Sequence, residues 1–328
     1  MELLVEFFGL VFTTLVYPGL FFLAVLGLIS QWYRRKLVAR LQNRVGPKYV
    51  GPAGILQPFA DVYKLLFVKE LVTGAYTPAR LILYIITLGI VALSASSALL
   101  PLTPLYIKAD YDALVFIYLT LYASIAVSLI GLGSVSPYPS LGGVRYATML
   151  LVFEPAVAIS LLSMVKVLAP STLSLADALG SPNILRAQQP LQGVFQLATL
   201  VLAALSFSMA LLSKMMMKPF DIPEAETEIA GGYLAELSGP ALGLSILLHE
   251  VEISLYIFVF SNLLVPIPPV LPEPLSIVTS LLKYFAVLTI LTLVAYSMGR
   301  LKPDQALRTL IKVPLLLSII SLALAFTI

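Results

Sequence analysis

Acidic side chains are concentrated in one short stretch, which reads Lys218-Pro219-Phe220-Asp221-Ile222-Pro223-Glu224-Ala225-Glu226-Thr227-Glu228. Asp221 and Glu224 have the spacing of a capping box. With Pro223 in its first turn, a helix would place both acids and Glu228 on one face. Such a group is either a solvated helix start, where negative charge suits the helix dipole, or a cluster that holds protons or cations beside a membrane.

Further acids lie inside long apolar stretches. Glu154 and Glu250 each follow about ten residues of apolar chain, which at 1.5 Å per residue corresponds to a depth of about 15 Å in a membrane. Glu252 and His249 adjoin Glu250. An ionisable group inside a membrane span indicates function by default, and the alternative is a neutral, hydrogen-bonded structural acid. His249 is expected to be a packed structural residue, and Lys283 is a candidate counter-charge.

The elements that carry these residues are apolar enough to cross a membrane. Hydrophobic residues make up 59% of the 328 residues and charged residues only 11%, against about 25% in ordinary soluble domains. The pattern predicts one all-α integral membrane domain, 1–328, with about eight transmembrane helices and cytoplasmic amphipathic segments. The predicted spans are 3–30, 79–101, 112–134, 145–168, 191–213, 240–265, 275–298 and 309–328.

The basic residues predict the orientation of the chain. Most of the 20 lysines and arginines, Lys214 among them, fall in or beside three segments on one face, 31–78, 214–239 and 299–308. By the positive-inside rule this face is cytoplasmic, so both termini are expected outside the cell membrane. Within the first segment, 55–67 has the spacing of an amphipathic helix that lies in the interface or against a partner.

The composition excludes several kinds of site in this chain. It has no cysteine and one histidine, so cysteine-ligated iron–sulfur clusters and multi-histidine metal sites are excluded. We therefore expect no catalytic residue, metal or redox cofactor here, and any such cofactor must lie in another chain. A stand-alone secondary transporter is an alternative, but it predicts internal repeats, which the sequence does not display.

Four blocks in order resemble the subunit 1 (H-type) family of respiratory complex I, which is shared with membrane-bound hydrogenases and related ion-pumping complexes. The third block, Pro219-Phe220-Asp221-Ile222-Pro223-Glu224-Ala225-Glu226, is highly specific. The others are Arg40-Leu41-Gln42-Asn43-Arg44-Val45-Gly46-Pro47 with its continuation to Asp61 and Lys64, Gly142-Gly143-Val144-Arg145 with Glu154-Pro155, and Arg300-Leu301-Lys302-Pro303-Asp304-Gln305.

The resemblance implies a role in a larger complex. The subunit would dock a peripheral redox arm on its cytoplasmic face, frame a quinone-type chamber, and link it through acids to antiporter-like and small membrane subunits. Lipid is the remaining expected partner, and nucleic acid is not one. By motif position, the ion pathway would comprise Glu154, Asp221, Glu224, Glu226, Glu228, Glu250 and Glu252. The docking or chamber rim would comprise Arg40, Arg44, Lys64, Arg145, Lys218, Glu236, Arg300, Lys302 and Asp304.

The chain departs from many quinone-reducing members at the sixth span. It has Glu250-Val251-Glu252 where they carry a Glu–Tyr pair, and Lys218 where they carry an arginine. The sequence therefore keeps two alternatives open. One is a complex with a quinone and partner iron–sulfur clusters, and the other is a hydrogenase, with nickel–iron in a partner, or a sulfane reductase that uses no quinone. It also leaves open whether protons or sodium ions are moved.

Overall fold

A computed structural model shows an all-helical chain. It describes residues 9, 11–72, 74, 77–101, 106–180, 190–265 and 273–327, and those residues form no β-strand. The predicted start of the first span, 3–8, and the loop at 266–272 lie outside the described residues. The principal helices are α1 (Leu20–Leu41), α2 (Gln57–Tyr63), α3 (Ala79–Ser97), α4 (Asp112–Leu132), α5 (Pro137–Leu168), α6 (Leu175–Leu179), α7 (Pro190–Lys214), α8 (Glu226–Ile229), α9 (Gly239–Leu264), α10 (Glu273–Ser297), α11 (Pro303–Leu310) and α12 (Leu316–Ala325).

Eight helical units in the described residues are long and apolar enough to span a membrane, which confirms the predicted fold class. The first unit is Val11–Leu41 and the last, which joins α11 to α12, is Pro303–Ala325. Three of the units are longer than their predicted spans. The first continues beyond residue 30 to Leu41, α5 begins at Pro137 rather than 145, and the last begins before residue 309. Proline at the first helical turn, as in α5, favours these earlier starts.

The segment between α1 and α3 contains the predicted helix. It runs through α2 and a π-helical turn at Lys64–Val68. Pro58 and Val62 face the protein, whereas Tyr63 and Phe67 are 62% and 73% exposed. An aromatic pair with its ring centroids 5.1 Å apart is therefore presented outwards.

The acidic segment differs from its prediction. Its helix α8 begins at Glu226, not near Pro223, and Ala225 rather than Asp221 precedes it. The capping-box prediction was wrong because the Asp221 side chain is bound by Arg300 instead of a helix N-terminus. Proline at position 223 also lacks the N–H that a continuing helix would use.

The two most buried spans lie at the centre of the bundle. In the most apolar 18-residue stretch of α5, 67% of the residues are buried inside the protein, and in that of α9 the share is 72%. Helix α5 packs closely on α4 through Gly131 and Gly143. A Cβ atom on Gly143 would lie 2.7 Å from the backbone N of Leu132. Small residues are what allow such close helix crossings in membranes.

We expect Gly143→Ala to destabilise the chain by about 1–3 kcal/mol, because the new methyl group would meet backbone atoms that cannot rotate away. Thermal unfolding of the protein in detergent measures the effect. Gly299→Ala is the matched control, since nothing lies within 4 Å of a Cβ at that position. Equal melting temperatures for the two variants would show that the α4–α5 crossing tolerates expansion.

The helix ends form two separate groups of contacts. At one end, here called the basic end, the segments 42–72, 214–238 and 298–302 meet. For example, the hydroxyl of Ser238 donates to the carbonyl of Val72, and Leu301 N donates to the carbonyl of Pro219. At the opposite end, Lys108 pairs with Asp177 at 2.6 Å.

Candidate functional site

Arginine–carboxylate pairs join the loops of the basic end. Arg300 donates to both carboxylate oxygens of Asp221, at 2.9 and 2.7 Å. Arg145 lies 2.8 Å from Glu228, which is also 4.0 Å from Arg300. The arginines of the second and fourth sequence blocks therefore converge on the acidic segment, which contains the third block. Asp221 and Glu228 are paired with arginines, and both Glu226 and Glu228 are exposed.

Glu224 has a different environment from its neighbours. Its carboxylate accepts a hydrogen bond from the hydroxyl of Tyr233, 3.4 Å away. Burial raises the pKa of the Glu224 carboxyl to about 7, although the Tyr233 hydrogen bond acts in the opposite direction. The Glu250 carboxylate raises this pKa further and the Arg34 guanidinium lowers it. Glu224 is therefore able to gain and lose a proton near neutral pH.

Glu224 is expected to give a carboxyl titration near pH 7 that Glu224→Gln lacks. Because the folded-state pKa is raised, proton binding at Glu224 favours the folded chain at low pH. This contribution is lost as the pH rises from about 4.5 through about 7. Infrared titration of the carboxyl C=O stretch measures it, and Asp304→Asn, at an exposed acid, is the control. Persistence of the titration in Glu224→Gln would assign it to another residue.

A buried ion pair links the first span to α9. Arg34 donates to both oxygens of the Glu250 carboxylate at 2.5 Å, and their side chains are only 12% and 6% exposed. The sequence does not single out Arg34, because this residue lies in the run Arg34-Arg35-Lys36, which has the composition of a surface loop. Since α1 continues to Leu41, Arg34 instead lies on a helix that packs against α9.

A second buried group, here called the lysine cluster, consists of Ser124, Glu154, Lys214 and Glu252. The Lys214 ammonium contacts Glu154 and lies 2.9 Å from Glu252 and 2.6 Å from the Ser124 hydroxyl. Ser124 lies 2.5 Å from a carboxylate oxygen of each acid. Lys214 and Glu252 are completely buried and Glu154 is 5% exposed. Four different helices, α4, α5, α7 and α9, supply these side chains.

The position of Lys214 differs from two expectations based on the sequence. Its position at the end of a span predicts that it lies on the cytoplasmic face. Its side chain is instead directed into the bundle, where the Tyr256 ring centroid lies 4.2 Å from its ammonium. The suggestion that Lys283 is the counter-charge was wrong, because Lys283 donates to the carbonyl of Val265 at the opposite end. The counter-charges of the buried acids are Arg34 and Lys214.

The remaining predicted residues are distributed around the basic end. Glu236 accepts a hydrogen bond from Thr77 at 2.9 Å and supports the segment before α3. Lys218 lies over the Tyr296 ring, 5.8 Å from its centroid. The other predicted rim residues are exposed, namely Arg40, Arg44, Lys64, Lys302 and Asp304.

Two cavities adjoin at Arg34. The larger, of about 610 Å³, lies between α1, the segment 44–61 and α9, and Glu250 is part of its wall. The smaller, of about 410 Å³, lies against the acidic segment and has Glu224 and Asp221 in its wall. Arg34, Met217 and Tyr296 line both cavities. In the described residues no group of three histidine or carboxylate side chains is placed to hold a metal ion. The wall of the larger cavity instead offers hydrogen-bond partners for a polar ligand.

The chain is similar in sequence and in fold to known proteins. Residues 13–326 match a family model described as NADH dehydrogenase. The chain is 32% identical over 268 residues to the NADH-quinone oxidoreductase subunit 8 of Rhodothermus marinus, covering 77% of this chain and 76% of that protein. It also resembles a chain in the structure of the membrane-bound sulfane sulfur reductase, an archaeal respiratory membrane complex. That likeness has a TM-score of 0.78 at 24% identity over 97% of this chain and 99% of the other, and it concerns the fold alone.

Proposed function

The chain belongs to the NADH dehydrogenase family of complex I subunit 1 (H-type) membrane proteins, and on that premise we propose that it is the membrane-anchor and coupling subunit of a complex I-like oxidoreductase. In this role it docks the redox arm and connects electron transfer in partner subunits to ion movement through its own buried acids. Iron–sulfur clusters would lie in those partners.

The observation that carries this proposal is the pair of buried charge groups on α9. Glu250 lines the larger cavity, and its partner Arg34 lines both cavities. Two residues further on, Glu252 belongs to the lysine cluster in the interior of the bundle. Buried charges are costly unless they are paired, so two such groups inside the membrane favour a functional role.

The larger cavity supports quinone as the acceptor. Its volume lies within the range of about 300–1,000 Å³ that is typical of small-molecule sites. Its wall has hydrogen-bonding groups suited to a quinone headgroup, among them Gln31, Arg35, Tyr49 and Asp61. The Rhodothermus marinus relative is named as a subunit of a quinone oxidoreductase.

The alternative acceptor belongs to a hydrogenase or sulfane reductase that uses no quinone. It is favoured by one feature of α9, where Val251 follows Glu250 in place of the tyrosine expected for many quinone-reducing members. Valine offers no hydrogen bond to a headgroup. Turnover of the intact complex after complete quinone extraction distinguishes between a complex that reduces quinone and one that uses no quinone. Full activity would overturn the quinone proposal and leave ion coupling intact.

The basic end is the proposed docking face for the redox arm. Its exposed side chains combine both charges with aromatic surface, as at Tyr49, which is 92% exposed, and at Phe67. Such a mixed surface can fix the register of a partner. Antiporter-like and small membrane subunits, together with lipid, would contact the apolar flanks.

Isolation of the tagged chain from its native membrane in mild detergent tests the proposed function. We expect it to co-purify with iron-containing subunits and to crosslink to them from a photoreactive residue at position 49. The control is the same residue at Tyr118, which is 71% exposed on a membrane-spanning helix. A monomeric chain that moves ions by itself would instead establish a stand-alone transporter.

The proposed orientation, with the basic end in the cytoplasm of a cell membrane and both termini outside, predicts a labelling pattern. The chain has no cysteine, so single substitutions are unique targets. An impermeant maleimide added to intact cells should label Ile107→Cys and Thr327→Cys, which are exposed away from the basic end, but not Tyr49→Cys. If Tyr49→Cys were labelled from outside and the other two variants were not, the orientation would be opposite to the proposed one.

A further inference from the structure

A narrow groove, here called the lateral groove, lies on the flank of the bundle between α7 and α10, with α9 behind them. Its volume is about 260 Å³. Val201, Leu205 and Ile290 form an exposed rim, whereas Phe260 of α9 is buried at the back. From Val201 to Ser208 the groove extends about 10 Å along α7, at 1.5 Å per residue. The groove therefore faces the membrane along a stretch of transmembrane helix.

The wall of the lateral groove offers no free hydrogen-bonding side chain. Its one polar side chain belongs to Ser208, and the hydroxyl of that residue already donates to the carbonyl of Leu205 in its own helix. The other wall residues are aliphatic, apart from Phe260, whose ring stacks on that of Phe207 with the centroids 4.5 Å apart. A quinone headgroup needs polar partners, so the chemistry of the wall favours a hydrocarbon chain.

The size of the lateral groove favours the same occupant. Its volume lies below the range of about 300–1,000 Å³ that is typical of small-molecule sites. A helix of a partner subunit has a diameter of about 10–12 Å with its side chains, which is too wide to enter. Lipid tails are as apolar as leucine side chains, and they are slender enough to fill a groove of this size.

One cation lies at the mouth of the lateral groove. The Lys283 ammonium donates to the carbonyl of Val265 at 2.7 Å, and Val265 directly follows the groove residue Leu264. One turn further along α10, Val287 lines the groove on the same helix face as Lys283. An ammonium has three protons, so the contact with Val265 leaves two for another acceptor. None of the ion pairs among the described residues includes Lys283.

We propose that an anionic phospholipid binds at this site, with one acyl chain in the lateral groove and its phosphate on the Lys283 ammonium. A phosphate accepts charge-assisted hydrogen bonds from the protons that Val265 leaves free. Because α9 ends at Leu264, opposite the basic end, the lipid belongs to the leaflet on that side. No acid of the proposed ion path lines the groove, so this site is separate from the proposed function.

Photo-crosslinking of the intact complex tests the site. The complex is placed in phosphatidylcholine nanodiscs that contain a small fraction of phosphatidylglycerol with a diazirine on its acyl chain, and peptide mass analysis locates the label. Peptides that carry Leu205, Leu264 and Val287 should be labelled. Phosphatidylcholine with the same diazirine chain should label them about fivefold less, because its choline neutralises the phosphate and weakens its attraction to one lysine.

Two pairs of variants separate the headgroup contact from the chain contact. Lys283→Met should reduce the preference for phosphatidylglycerol to about onefold. Its control is Lys166→Met, since Lys166 likewise donates to a backbone carbonyl at 2.7 Å but lies on α5, which does not line the groove. Ala204→Phe should fill the groove and lower labelling by both lipids several-fold. Its control is Leu197→Phe, at an exposed position of α7 outside the groove.

The unaltered complex decides the question even if a variant fails to assemble. Equal labelling by the two lipids would overturn the proposal, because Lys283 would then not select the headgroup. Absence of label from the groove peptides would mean that a side chain of a partner subunit fills the groove. Loss of the label on addition of excess quinone would assign the groove to quinone. None of these results would alter the proposed role of the buried acids, which is tested by coupled turnover.

Discussion

Replacing Arg34 by methionine is expected to destabilise the chain by roughly 3–5 kcal/mol, because the substitution leaves the Glu250 carboxylate buried without its cation. Both side chains are nearly inaccessible, at 12% and 6% exposure, so solvent does not screen the lost interaction. The amount of folded chain in the membrane and its unfolding temperature in detergent measure this loss.

The neighbouring residue provides the control. Arg35 pairs with Asp61 at 3.3 Å, but these side chains are 50% and 36% exposed. Exposed pairs of this kind contribute about 0–1 kcal/mol, so Arg35→Met should have little effect. Adding Glu250→Gln to Arg34→Met should restore part of the stability, since it removes the unpaired charge. Equal destabilisation by Arg34→Met and Arg35→Met would mean that the Arg34–Glu250 pair is not buried as described.

Glu154→Gln is expected to lower ion-coupled turnover by about tenfold or more while the chain still assembles. The amide keeps the volume of the carboxyl but cannot exchange a proton, and groups that transfer protons contribute about 10²–10⁴-fold to the steps that they serve. It also leaves Glu252 as the carboxylate that pairs with Lys214.

The control for Glu154→Gln is Asp177→Asn. It also neutralises a carboxylate that pairs with a lysine, but this pair lies at the opposite end and is 36–51% exposed. Turnover should be unchanged in Asp177→Asn. Parallel losses in both variants would indicate a general effect on assembly, and normal turnover in both would remove Glu154 from the path.

The sequence predicts the elements of this protein better than it predicts their partners. Apolar length is enough to predict eight spans, because a bilayer requires about 20 apolar residues wherever they pack. The same reasoning finds Glu154 and Glu250 as buried acids. It cannot find their counter-charges. Arg34 lies beyond the predicted end of its span and Lys214 is the last residue of α7, and sequence alone does not tell which way either side chain points.

Packing supplies the missing information. Lys214 enters the interior only because α4, α5 and α9 bring Ser124, Glu154 and Glu252 to the end of α7. These contacts join residues far apart in the chain, and helical periodicity reports only local neighbours. One signal was available, because a lysine that directly follows an apolar run, with no second basic residue beside it, can equally well point inwards.

In the acidic segment, local sequence spacing predicts a contact that the fold does not make. Local spacing predicted a capping box at Asp221, but Arg300 binds that carboxylate from a distant part of the chain. A bidentate pair with arginine is stronger than a single cap, so the tertiary contact prevails over the local one.

The ion-to-electron ratio of the intact complex in sealed vesicles tests the central claim most directly. Electron transfer and ion movement are measured together for the unaltered complex, Glu154→Gln and Glu250→Gln. If the buried acids of this chain couple the two processes, both variants should assemble with normal cofactor content and move far fewer ions in coupled turnover. Normal ion movement at a normal rate of electron transfer in both variants would contradict the claim.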